Sequence, residues 1–109
     1  MKIRILVAKL KDCKKNILDT PNSLLNVLKR CANEIGVKIF SEHIYKFNPQ
    51  GVSAVLIIGE SHLAIHTYPE FASAYFVATV CKEVDLKKGL EIVKKELESE
   101  IESEKYFEI

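Results

Sequence analysis

Over residues 2–8 apolar and polar positions alternate and put Ile3, Ile5 and Val7 on one side, which predicts that the chain opens with a half-buried strand. The period then lengthens. Leu24, Leu28, Cys31 and Ile35 follow at gaps of four, three and four, the spacing of a buried helix face. Thr20 followed by Pro21 predicts its start, a hydroxyl to cap free N–H groups and a proline suited to the first turn, and Gly36 predicts its stop. From Val37 to Phe47 the strand pattern returns, with His43, Tyr45 and Phe47 sharing a side. "NPQG" at 48–51 has the composition of a turn. "VSAVLII" at 52–58 is the most apolar run in the chain and predicts a central strand buried on both faces.

Gly59 and Glu60 predict the two loop residues of a hairpin, with glycine first where φ must be positive. Ser61 to Thr67 is then the returning strand, "TYPEF" an interruption, and Ala74 to Cys81 a further strand. Leu86, Leu90, Val93, Leu97 and Ile101 predict a second amphipathic helix, followed by a short final "KYFEI". This order describes an α+β protein, a two-layer α/β sandwich in which an antiparallel sheet carries its helices on one face. The other face then needs water, a ligand or a second subunit, and the apolar strand at 52–58 favours sheet-to-sheet dimerisation.

With 109 residues the chain has room for a single domain, 1–109, around one core. Its 16 Lys and Arg nearly balance 15 Asp and Glu, and no basic stripe is interleaved with aromatics, so nucleic acid is not the expected partner. No segment approaches membrane-spanning length, and the basic start alternates with charge, unlike a secretory leader. Cys13, Cys31 and Cys81 are odd in number and free of any CxxC spacing, which argues against a disulfide framework or a zinc site; no metal and a reducing cytoplasm are expected.

Candidate chemistry concentrates in "GESHLAIHTYPE" at 59–70, which holds two of the three histidines, a serine and two glutamates. Taken singly, each residue has a plain structural reading. Ser61 can be a strand-start hydroxyl, His66 a structural histidine, Cys81 a small buried hydrophobe, Phe47 a core ring and Glu70 a solvated turn carboxylate. Ser53 is different, because a hydroxyl in an apolar strand needs a partner. Cys13 and Cys31 read as core, His62 as structural or substrate-adjacent, and His43 is given no role.

The segment "FNPQGVSAVLIIGESHLAIHTYPE", with the strand that ends at Cys81, resembles the prokaryotic S-adenosylmethionine decarboxylase family of pyruvoyl enzymes. The match is most specific over residues 45–81. The resemblance implies that family's fold and a precursor that cuts itself between Glu60 and Ser61, into a β chain 1–60 and an α chain 61–109. It implies that Ser61 becomes the pyruvoyl group that forms a Schiff base with substrate, that His66 and Ser53 serve processing, and that Cys81 donates a proton in decarboxylation. Phe47 would stack on the substrate's adenine and Glu70 would bind its ribose hydroxyls. It further implies a homodimer of cleaved protomers that makes decarboxylated S-adenosylmethionine and carbon dioxide for spermidine synthesis.

The chemistry suits these residue types. Ser61 Oγ can attack the Glu60 carbonyl carbon through a five-membered ring, and an imidazole can give or take a proton near neutrality. Strand parity nevertheless points Ser61 and His66 to opposite faces, so their meeting requires a bend or movement of a freed chain end. The chain also departs from the family pattern. Tyr68 stands where tryptophan is usual, and Phe71, Ala72, Val77 and Lys82 replace a tyrosine, glycine, aspartate and glycine, which crowds the pocket expected after Glu70. Two other readings follow: a pyruvoyl-dependent arginine or ornithine decarboxylase of the same superfamily, and a non-catalytic paralogue that stays uncut.

Overall fold

A computed structural model describes all residues, Met1–Ile109. Its first strand, β1 (Arg4–Lys11), buries Leu6, Ala8 and Leu10, while Ile5 and Val7 are half-buried on the opposite side. The face marked by Ile5 and Val7 is therefore the open one, and the sheet's core face lies one residue out of step. A short helix α1 (Lys15–Leu18), absent from the sequence reading, leads into α2 (Pro21–Ile35). Leu24, Leu28, Cys31 and Ile35 are all buried, and Gly36 closes the helix in the left-handed region at φ 81°. The expected Thr20 cap does not form: its hydroxyl donates to the Asn16 carbonyl at 2.7 Å, tying α1 to α2 instead.

Strands β2 (Lys38–Lys46), β3 (Val52–Gly59), β4 (Ser61–Tyr68) and β5 (Ser73–Val80) form an antiparallel meander, with a 3₁₀ turn at Pro69–Phe71 before β5. β1 then pairs with β5, and the last strand, β6 (Glu100–Glu108), pairs with β1, giving the order β2-β3-β4-β5-β1-β6. Helix α3 runs only over Leu86–Glu96, capped by the Asp85 carboxylate, which accepts from Lys88 N–H at 3.1 Å. Ile101 thus belongs to β6, and "KYFEI" is the end of a long edge strand. The β1 edge would otherwise expose its backbone groups, and pairing with β6 satisfies them.

Helices α2 and α3 pack on one face of the sheet. Leu28 and Cys31 of α2 and Leu90 and Val93 of α3 share one cluster with Leu6, Leu56, Ile65 and Phe76 from the strands. Full burial of a ring such as Phe76 stabilises by about 1.5–3 kcal/mol. The single buried hydroxyl of β4 is also accounted for: Thr67 Oγ1 donates to the Leu18 carbonyl at 2.7 Å and accepts from Val52 N–H at 2.9 Å. The other face has no such cover. β3 buries Val52, Ala54, Leu56 and Ile58 but leaves Ser53 and Val55 half-buried and Ile57 exposed, so its two faces are not alike in the single chain. No helix is long and apolar enough to cross a membrane.

Candidate active site

The β3–β4 hairpin reverses through Gly59 and Glu60, since Ile58 pairs with Ser61 across it. The loop length is as expected; the dihedral is not. Positive φ falls on Ser61, at 121°, and not on Gly59. Such a backbone costs a non-glycine residue on the order of 1–3 kcal/mol. It is held there by pairing with Ile58 on one side and Val80 on the other. Glycine at 59 answers to a different need, the close approach of the Phe40 ring.

Cys81 follows the last residue of β5 and reaches this turn. Its thiol lies 3.2 Å from a Glu60 carboxylate oxygen and 3.8 Å from the Glu60 carbonyl oxygen, beside the peptide bond to Ser61. The hydrogen bond to Glu60, with partial desolvation, holds the thiol above its ordinary pKa and so favours the protonated form. Arg4 fixes the same residue from behind, its guanidinium donating to the Cys81 carbonyl at 3.1 Å. The other two thiols differ in kind: burial pushes Cys13 up to about 11 and Cys31 up to about 12, which suits core residues.

A second cluster stands further along the open face. Ser53 and His66 pair across β3 and β4, and Ser53 Oγ lies 2.7 Å from His66 Nδ1. The need of Ser53 for a partner is thereby met. Tyr75, opposite His66 on β5, stacks with the imidazole at a centroid distance of 6.0 Å and an interplanar angle of 24°. Tyr45 is opposite Ser53, and its ring meets Phe47 at 4.8 Å. Phe47 is 45% exposed, so it is not a core ring. Glu70 is exposed in the 3₁₀ turn, between buried Pro69 and exposed Phe71. His62 faces the open side between Ile57 and Thr79, and His43 is bonded to Ser41 at 3.2 Å.

The structure does not bring His66 to Ser61 within one chain. From Ser61 to His66, β4 is paired without a break on both sides, so the bend that would join them is absent. Five strand residues separate them by about 16 Å. Among the positions that depart from the family pattern, Ala72 takes φ 49° and Lys82 donates to the Gly36 carbonyl at 3.2 Å. Phe71 is 76% exposed and, with Tyr68, Tyr75 and Val7, lines an open groove of about 710 Å³. That groove flanks the His66 cluster and does not include Ser61 or Cys81. Sequence reasoning missed Arg4, Tyr75 and Phe40; strand pairing places the first two beside these residues, and a bulge in β2 turns the Phe40 ring onto Gly59.

Fold and site together define a small α+β protein whose hairpin turn sets a thiol against the residue before a serine, with a serine–histidine pair on the same sheet. The chain belongs to the S-adenosylmethionine decarboxylase family, whose sequence profile it matches over residues 4–108. The S-adenosylmethionine decarboxylase proenzyme of Thermosipho melanesiensis is 38% identical over 98 residues, which span 89% of this chain and 75% of the relative. That of Thermotoga maritima is 39% identical over 97 residues, 88% of this chain and 75% of its own length. The crystal structure of the adenosylmethionine decarboxylase from Aquifex aeolicus has the same fold, with a TM-score of 0.81 at 20% identity over 100% of this chain and 88% of that one.

Proposed function

We propose that this chain is the precursor of a pyruvoyl-dependent S-adenosylmethionine decarboxylase that cuts itself between Glu60 and Ser61. The observation that carries the reading is the Cys81 thiol set against the Glu60 carbonyl, at the peptide bond to be cut. Ser61 Oγ attacks the Glu60 carbonyl carbon and the amide becomes an ester. Intramolecular attack gains from high effective molarity, and the turn limits the approach. A base then removes the Ser61 α-proton; the ester leaves as the carboxylate of Glu60, and the remaining dehydroalanine hydrolyses with loss of ammonia to a ketone.

The donor set fits a pyruvoyl group at position 61, since a protonated thiol is the kind of acid that a carbanion beside it requires. Such a group supplies an electron sink for the bond to a departing carboxylate. Cys81 delivers the proton to the substrate's α-carbon, and Arg4 and Glu60 hold the thiol in place. Phe47 offers its exposed ring to the adenine, and Glu70 accepts hydrogen bonds from the two ribose hydroxyls. Arginine or ornithine would leave that aromatic face without a partner, which favours the nucleoside substrate. Its product would supply the aminopropyl donor for spermidine synthesis in the cytoplasm.

A homodimer packed through the bare sheet face completes the reading. A two-fold axis in the plane of the interface and across the strands lays the Ser61 end of one sheet over the His66 end of the other. His66 and Ser53 of one protomer then serve the cut in its partner, which accounts for their separation within a chain. The intact mass of purified protein tests the cut: fragments 1–60 and a pyruvoyl-blocked 61–109 are expected, and a persistent uncut chain favours the non-catalytic paralogue. Carbon dioxide release from S-adenosylmethionine, arginine and ornithine, each offered alone, tests the substrate; turnover of arginine or ornithine only would overturn it.

A further inference from the structure

Phe40 is the extra residue of a bulge in β2: Ile39 pairs with Ile58 and Ser41 with Ile57, so Phe40 has no opposite number on β3. A bulge re-aims the side chain it carries. Here the ring is turned onto Gly59, where an added Cβ would lie 2.7 Å from Phe40 Cε2 and 3.3 Å from Cζ. Gly59 does not have positive φ, so its dihedral does not call for glycine, and the close approach at this position is that of the Phe40 ring. Phe40 is also 62% exposed, so its contribution to the core is small. Lys38, opposite Gly59, sets its ammonium 5.4 Å from the ring centroid, a cation–π contact that steadies the ring over the turn.

We propose that Phe40 is a positioning residue for self-cleavage, its ring packing on Gly59 to hold the turn where Ser61 Oγ approaches the Glu60 carbonyl carbon. The inference rests on the Glu60–Ser61 cut proposed above. The ring makes and breaks no bond; it narrows the range of turn conformations from which the acyl group passes from the Ser61 nitrogen to its oxygen. Displacement of reacting atoms by about 1 Å can cost about 100-fold in rate, so a turn relieved of one packed side is expected to react about tenfold more slowly.

The test is the first-order cleavage rate of freshly purified full-length precursor, followed by intact mass, with the melting temperature measured on the same samples. Phe40→Ala is expected to slow the cut about tenfold at an unchanged melting temperature, and Phe40→Tyr to restore it. Gly59→Ala pushes the ring aside and is expected to slow the cut similarly. The double variant Phe40→Ala/Gly59→Ala is expected to be no slower than the slower single variant, as for two changes that remove one contact. A wild-type rate in Phe40→Ala, a slow rate in Phe40→Tyr, multiplied effects in the double variant, or a slowing that tracks a lowered melting temperature would each overturn the inference. A wild-type chain that never cuts sinks the cleavage reading itself, so the two failures are told apart.

Discussion

On the helix-covered face of the sheet Leu6, Leu56, Ile65 and Phe76 are fully buried, whereas one residue along the same strands Val7, Ile57, His66 and Tyr75 are half-buried or exposed. The covered face holds one buried hydroxyl from β4, Thr67, with its bonds satisfied inside the chain. The bare face carries the Ser53–His66 pair, and the Cys81 thiol lies at its end. The difference teaches that one side of the sheet is packed for stability while the other leaves polar side chains free, with Ser61 at the end of β4 in the register of the covered side. Changes on the first should act on folding, and changes on the second on cleavage, turnover and association.

The largest effect is expected from Ser61→Ala, which removes the attacking hydroxyl and should leave one uncut mass where wild type gives two. Cys81→Ala should still cut, because the role proposed for the thiol falls after cleavage, yet lose about 100-fold or more in carbon dioxide release. Phe76→Ala sharpens the comparison from the covered side: unfolding in urea should show a loss of about 3–5 kcal/mol, the cost of an emptied core site. Ile57→Ala, on the bare face of β3, should cost less than about 1 kcal/mol in a monomer while weakening dimerisation in sedimentation. A core-sized loss at Ile57 would erase the distinction between the faces.

A smaller effect concerns the Glu60–Cys81 contact. The thiol sits above its ordinary pKa mainly because it bonds to Glu60, so at a given pH less of it is thiolate. Removing the carboxylate should lower that pKa and raise the reactive fraction. In the uncut Ser61→Ala background, Glu60→Gln should therefore speed alkylation of Cys81 at pH 8 by severalfold, read by mass, while buried Cys13 and Cys31 stay unmodified.

Element order, the buried face of α2 and the length of the β3–β4 loop were legible because each rests on periodicity or turn composition over a few neighbouring residues. The extent of α3 was not. Leu97 and Ile101 continue the helical spacing, but the chain takes φ 50° at Glu98 and the β1 edge draws residues 100–108 into a strand. A local pattern cannot register an edge supplied from the other end of the chain. The same holds for the core side of β1, which β5 and the helices decide, and for the positive φ that sits on Ser61 where glycine was its expected bearer.

At the site, residue types were legible and their grouping was not. The Ser53–His66 pair depends on the register of β3 against β4, and the approach of Cys81 to Glu60 depends on β5 lying beside β4. Parity did separate Ser61 from His66, and the unbroken β4 keeps them apart. What the structure adds is the bare face, on which the proposed homodimer would set a second copy's histidine.

That sharing is tested by co-expressing two chains that cannot cut as pure dimers, Ser61→Ala and His66→Ala, and weighing the products. The account predicts that the His66→Ala chain, uncut alone, is cut between Glu60 and Ser61 when the Ser61→Ala chain is present to lend its His66. A His66→Ala chain that stays whole in mixed dimers, or that cuts itself when expressed alone, would contradict it.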